Sequence, residues 1–539
     1  MKNSLLEKSL RYYHTLKYLK PIQIYGQLKF RWRKPKLNFS ATPATQLPSL
    51  SFAQPIPKQV NMTAPNLITL LNQQRDISSA TIWSDPSIDK LWLYNLHYFA
   101  AINDAALIKR WIKENPPPQG NGWEPYTISL RIVNWIKWLL AGNTADDEML
   151  KSLALQTRYL SKRLEIHILG NHLLANAKAL IFAGCFFQGA EARVWLATGL
   201  KYFSRQLTEQ ILADGGHFEL SPMYHAIILE DLLDVINILK TYGQPIPLVW
   251  LAIVKDMFRW SQALTHPDNE LSFFNDATLN IAPDLAELSA YSDRLQLAAP
   301  TVADYGLQHL AASGFARLQL GDAVVLADVG EVGATYQPGH AHADTLSFEF
   351  SLSKQRILVN SGISTYANNN ERFRQRSTMA HNTAVINDRN SSEVWKSFRV
   401  AKRARVHNIK TTSLPDQLTV SASHDGYYNP YQITHHRRWQ LTNHKLLIED
   451  TFTGTKQHKI SLYFHVHPDL RVKPVDTQNI LFYDSSNQPL AVLSSTQTIK
   501  VMESSYHPGF NLSIPNKKLV IEYTVTLPST HHTLITWKL

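Results

Sequence analysis

A single cysteine, Cys185, stands among 539 residues. No intrachain disulfide can form and no multi-cysteine metal site can be assembled, which fits a reducing compartment. Also missing is any run of about 18 consecutive apolar residues, so no bilayer-spanning helix is expected. The first 25 residues never build an uninterrupted apolar stretch, because Lys8, Arg11, His14, Lys17 and Lys20 break it. No small-residue cleavage site follows, and a Sec signal is not expected. The chain has no Gly-x-Gly-x-x-Gly fingerprint, no P-loop and no His-Glu-x-x-His pair, which removes the usual marks of dinucleotide, nucleotide and zinc-peptidase chemistry. Acidic charge is in deficit: 43 Asp and Glu face 54 Lys and Arg, a net charge of +11. That balance favours anionic partners such as acidic glycans, nucleic acid or membrane headgroups, without choosing among them.

What is present reads as a globular chain, 44% hydrophobic and 18% charged, too long for one hydrophobic core. Residues 1–65 form a basic, amphipathic start and an irregular linker. Leu10, Tyr13 and Leu16 recur at helical spacing, and Lys29-Phe30-Arg31-Trp32-Arg33-Lys34-Pro35-Lys36 is the densest basic run. The basic run reads as a solvated or membrane-facing patch, and the amphipathic helix before it, which also includes Leu6, as one that packs on its own domain or makes a peripheral membrane contact. From 66 to 300 the period is helical, with helices expected over 129–140, 147–165, 173–187, 190–212, 222–241 and 247–264. Successive helical hairpins suggest a toroid or solenoid. From 306 to 539 the period becomes two, as in Thr345 to Leu352, Ile460 to Val466 and Lys518 to Thr526, which argues for an antiparallel β-sandwich. The boundary is expected within 293–311.

Four segments carry candidate chemistry. Gly339-His340-Ala341-His342-Ala343-Asp344 sets two imidazoles and a carboxylate at alternate positions, which face one way in an extended chain. Such a cluster can hold a metal, shuttle protons or grip an acidic sugar. Gly170-Asn171-His172 opens a helix, where Asn171 suits either a functional amide or a plain cap. In Ser221-Pro222-Met223-Tyr224-His225, Ser221 is a good N-cap and Pro222 suits the first helical position. Tyr224 then falls in the first turn, where the helix dipole lowers the cost of a phenolate. Ala380-His381-Asn382 is the fourth. Around them, Trp123, Arg131, Trp135 and Asp276 offer indole faces, a guanidinium and a polar loop to grip a sugar chain.

In this order the four segments resemble the heparinase II/III family of polysaccharide lyases, from about Trp92 to the C-terminus. The resemblance implies an incomplete (α/α) toroid followed by an antiparallel β-sandwich, with the active site in the cleft between them. It implies β-elimination on a uronate-containing acidic polysaccharide, placed by this reading in bacterial exopolysaccharide or capsule metabolism. Asn171 and His172 match the carboxylate-neutralising pair, Tyr224 the proton-transfer tyrosine and His340 the catalytic histidine of the β-domain. His342 and His381 match ligands of a structural zinc whose third ligand is a carboxylate; this sequence has Asn360 there, a poorer, uncharged ligand, with Asp344 as a substitute or as partner to a histidine. No organic cofactor is implied. The expected location is cytoplasmic or peripheral to the inner membrane, with the periplasm or envelope as the family's alternative. Rival readings are a non-catalytic glycan-binding protein and a metal-dependent hydrolase using His340, His342 and His381. Nucleic acid is not an expected partner, since the basic and aromatic residues form no recognisable module.

Overall fold

The computed structural model describes residues 5–58, 62–100, 104–297 and 306–537. Helices dominate as far as Arg294, and strands take over from Leu307. The architecture therefore changes where the period does; within the expected join of 293–311, residues 298–305 lie outside the described residues.

Two N-terminal helices, α1 (Leu5–Leu16) and α2 (Pro21–Trp32), come first. A largely irregular stretch and a small antiparallel sheet (Met62–Ala64, Leu67–Leu70, Gln73–Asp76) lead into the helical body. That body comprises α3 (Lys90–Tyr98), α4 (Ala105–Glu114), α5 (Pro125–Leu140), α6 (Asp147–Ser161), α7 (Gly170–Phe186), α8 (Gly189–Gln210), α9 (Pro222–Thr241), α10 (Leu248–Ala263) and α11 (Leu285–Arg294). At its centre lies α7, every residue of which is buried from Leu173 to Phe186. A helix apolar on all sides is stable only when surrounded, and α5, α8 and α9 enclose it. The approach of α8 is close: a Cβ on Gly184 would lie 2.5 Å from the Leu196 nitrogen, so only glycine fits. A buried charge network ties three of these helices. Lys178 of α7 bridges Asp231 at 2.6 Å and Asp234 at 2.5 Å, and Lys137 of α5 meets Asp234 at 2.5 Å. Helices α3, α4 and α11 lie outside the expected set; each has 10 residues or fewer, close to the shortest length that periodicity resolves.

The C-terminal half is built from antiparallel sheets of five, eight and four strands, with Thr434–Thr442 and Lys445–Thr453 central in the largest. Along Thr434–Thr442 side chains alternate strictly, His435, Arg437, Trp439 and Leu441 pointing in. Trp439 and Ile448 from this sheet, Phe348 and Phe350 from the five-stranded one, and Leu462 and Ile521 from the four-stranded one share a single core. The molecule is an (α/α) toroid followed by an antiparallel β-sandwich. Strand Val406–Leu414 escaped the sequence reading because nearly all of it is exposed and carries no apolar alternation.

Candidate active site

One cleft of about 1950 Å³ is lined from both halves, and Asn171, His172, Tyr224 and His340 all line it. Four residues spread over 170 positions are thus brought to one cavity.

The toroid supplies its members from the starts of helices. Leu169 and Gly170 both have positive φ (63° and 56°) as the chain turns into α7. The N-cap position is Leu169, so Asn171 sits inside the first turn and is not the cap. A Cβ on Gly170 would come within 3.0 Å of Glu219 Oε1. His172 stacks on Tyr126 at 4.4 Å and its Nδ1 meets Glu165 Oε1 at 3.1 Å. Burial disfavours the charged ring, but the Glu165 carboxylate outweighs it and the pKa of His172 is raised. On α9, Ser221 Oγ accepts the Tyr224 N–H at 3.2 Å and donates to the Asp276 carbonyl at 2.6 Å. The expected cap therefore also ties Tyr224 to the Asp276 loop. The Tyr224 hydroxyl lies 3.0 Å from that of Tyr366. Burial and Tyr366 push its pKa well up, against the expectation of a cheap phenolate at the helix start, and the resting group is a proton donor.

The sandwich supplies His340 from a loop. Its ring stacks on Tyr224 with centroids 3.9 Å apart, and its Nδ1 donates to Asp276 Oδ2 at 2.8 Å. With Nδ1 so engaged, the neutral ring carries its lone pair on Nε2, which lies 3.7 Å from Glu219 Oε2. Asp276 is fully buried and takes His342 Nε2 at 2.8 Å on its other oxygen, while the Arg372 guanidinium grips both oxygens. Burial opposes the charge of Asp276, yet Arg372 and the two imidazoles hold its carboxyl well below the usual range. Burial, with a smaller push from the Asp276 charge, raises the Glu219 carboxyl, and His340, His172 and the Asn171 N–H offset it only in part.

Beneath this wall His342, Asp344 and His381 gather, with ligand atoms within 4.8 Å of one another. His342 Nε2 donates to Asp276 and His381 Nδ1 to the Ser377 carbonyl at 2.8 Å. In the neutral rings the remaining nitrogens, His342 Nδ1 and His381 Nε2, then face each other at 3.0 Å with both lone pairs. Two opposed lone pairs beside a carboxylate call for a proton or a cation between them, and the donor set fits a divalent cation. The carboxylate in the group is Asp344. Asn360, at the position expected for the third ligand, is engaged elsewhere: its Oδ1 accepts the Asn382 N–H at 3.2 Å.

Three expected sugar contacts lie in the toroid core instead. Trp123 donates to the Asn115 carbonyl, Trp135 packs edge-on against Trp111, and Arg131 is spent on Gln156, His97 and Gly122 while covering the Trp111 ring. None of the three lines the cleft. Their apolar and aromatic neighbours at helical spacing were the signal for the core. Asp276, the fourth, is too buried to touch a sugar and positions His340. Residues that the sequence reading missed are Glu165, Glu219, Tyr366 and Arg372. Of these only Glu219, two residues before Ser221, lay close enough to a motif to be noticed. The basic run is far from the motifs in sequence, and the fold brings its Arg31 to the same cleft as Tyr224.

Comparison with known proteins bears on the family and the fold. The family description "Heparinase II/III N-terminus" matches residues 92–294 and "Heparinase II/III-like, C-terminal" matches residues 303–538. A heparin-sulfate lyase of Bacteroides stercoris is 25% identical over 330 residues, 56% of this chain and 47% of that one. The chain spans about half the length of the curated relatives it matches. Among solved structures, a heparinase III superposes with a TM-score of 0.66 at 15% identity, covering 95% of this chain and 88% of the other. A mutant heparan sulfate lyase from Pedobacter heparinus gives 0.60 at 18% identity, covering 96% and 87%. At these identities the structures speak for the fold.

Proposed function

The chain belongs to the heparinase II/III family, and from that membership we propose that it is a polysaccharide lyase cutting a uronate-containing acidic polysaccharide by β-elimination. The observation that carries the reading is the His340–Asp276 pair stacked on Tyr224 at the meeting of the two domains. A proton acceptor and a proton donor are held in one cavity, the arrangement that elimination requires.

Each step has a residue. The uronate carboxylate binds at Asn171 and His172; the amide donates, and the Glu165-supported imidazolium adds positive charge as the enolate-like intermediate develops. His340 Nε2 removes the C5 proton, its imidazolium stabilised by Asp276. Tyr224 O–H gives its proton to the departing O4. The C5–H and C4–O4 bonds break, a C4–C5 double bond forms, and the proton taken by His340 returns to the tyrosine through solvent or Tyr366. A cation held by His342, Asp344 and His381 would neutralise Asp344 and lock the loops that carry His340 and His381. These three side chains are buried and do not line the cleft, which favours such bracing over a hydrolase in which a metal-bound water meets the substrate.

The net charge of +11 suits an acidic polymer. Heparin sulfate, named for the relatives, and a uronate-bearing bacterial exopolysaccharide, the expectation from the sequence, are the two polymers to try. Absorbance of the unsaturated uronate should rise with the native protein. Tyr224→Phe and His340→Ala should each lower the rate about 10²–10⁴-fold with binding retained. Equal rates in native and variant proteins would strip Tyr224 and His340 of their assigned roles, and binding without any absorbance change would replace this reading by that of a glycan-binding protein.

A further inference from the structure

The N-terminal helices leave an apolar, basic surface that neither the fold nor the cleft uses. Of the 24 exposed large hydrophobic side chains in the described residues, 10 lie between Leu10 and Phe39, and six of these, Leu10, Tyr13, Ile22, Tyr25, Trp32 and Phe39, do not line the cleft. Exposed apolar residues are ordinarily scattered, and their concentration marks an interaction surface.

Helix α2 presents three faces. One packs on the toroid: Gln23 and Gly26 are buried, and Phe30 lies 4.2 Å from the His167 ring and beneath the Arg163 guanidinium at 3.7 Å. A second, with Ile24, Leu28 and Arg31, lines the cleft. The third, spaced i, i+3, i+7 and i+10, carries Ile22, Tyr25, Lys29 and Trp32 and lines nothing; Tyr25 is 59% exposed and Trp32 80%. On α1, Leu10 and Tyr13 are likewise exposed and outside the cleft. Among the described residues Lys29, Arg33, Lys34 and Lys36 are exposed and enter none of the ion pairs of the protein.

We propose that this third face of α2, with the basic residues that follow it, docks the protein on an anionic lipid bilayer. An aromatic and aliphatic stripe flanked by lysines and arginines is the pattern of a helix lying in the interface, the rings at headgroup level and the cations against lipid phosphates. No described helix is long and apolar enough to cross a membrane, so the contact is peripheral. Because the adjoining face of α2 lines the cleft, docking holds the cleft mouth beside the membrane surface.

The test is sedimentation of the full-length protein with vesicles of phosphatidylcholine containing about 30% phosphatidylglycerol, against vesicles of phosphatidylcholine alone. The protein should pellet with the anionic vesicles only. The variant with Ile22→Ser, Tyr25→Ser and Trp32→Ser together should lose about tenfold or more of that affinity, its circular dichroism spectrum unchanged; should it fail to fold, Trp32→Ser alone serves. Lys29→Glu with Lys34→Glu and Lys36→Glu should also weaken binding. The proposal is overturned if the native protein does not pellet, or if the serine variant binds as well as native. It is overturned equally if the face proves to hold a heparin-derived oligosaccharide, lost in the serine variant, in place of lipid. None of these readouts involves catalysis, so a failure here leaves the lyase reading untouched and the reverse.

Discussion

The two walls of the cleft hold their reactive groups by different means. On the toroid wall Asn171, His172 and Tyr224 ride on the first turns of α7 and α9, and each helix is fixed by packing along its length. On the sandwich wall His340 and His342 sit on a loop between Asp328 and Phe348 with no regular backbone pairing of its own. There a buried lattice of charges takes over: Arg372 grips Asp276, and Arg437, paired to Asp450, donates to the Leu346 and Asn382 carbonyls from below. A helix start presents a side chain by local geometry alone. A loop does so only if tertiary hydrogen bonds determine it more than once.

That contrast can be broken from the sandwich side first. Arg372→Ala leaves the buried Asp276 with its two imidazole partners but no guanidinium, and should cost about 3 kcal/mol of stability and, through His340, most of the turnover; calorimetry and the absorbance assay check both. An unchanged melting temperature would mean that the lattice does not hold the loop. Next, Asp450→Asn should cost about 2–3 kcal/mol at neutral pH, because Arg437 keeps its two carbonyl partners. Burial opposes the charge of Asp450, but Arg437 and His435 hold its carboxyl below the usual range. A depressed folded-state pKa contributes stability above the unfolded value of about 4, and that stability is lost as pH falls through the folded value. Native protein should therefore lose stability more steeply in acid than Asp450→Asn, in denaturant titrations across that range.

The toroid wall should answer more weakly. Ser221→Ala removes one cap from a helix already fixed by its packing, and should cost about 1 kcal/mol; the extra bond to the Asp276 carbonyl predicts a lower kcat at unchanged KM. Smallest of all is the effect of Trp123→Phe on catalysis. A residue in the helical core should leave KM within about twofold of native, whereas a sugar-stacking indole would raise it well beyond that.

Local rules reached a good part of this. Helix α9 runs over Pro222–Thr241 as its cap and apolar spacing require, and α7, α8 and α10 agree with their expected spans to within a few residues. The histidines at 340 and 342 do converge, on the two oxygens of Asp276. Local rules failed where a side chain's role depends on what arrives from elsewhere. Trp135 reads equally as a core residue or a stacking platform until Trp111 and Phe99 are seen against it. Tyr224 reads as an activated phenol until Tyr366, 142 residues on, shares its pocket.

By itself the sequence determined the two-domain order, the helix start that presents Tyr224, and the family. Each follows from rules acting within a few residues or from motifs read in order. Tertiary structure alone decided that Asp276 positions the histidine and does not touch sugar, that Asp344 and not Asn360 joins His342 and His381, and that Arg131 is spent inside the toroid. It also set the protonation of the site, because desolvation and the charge of Arg372, 96 residues from Asp276, act through space and leave no trace in local sequence.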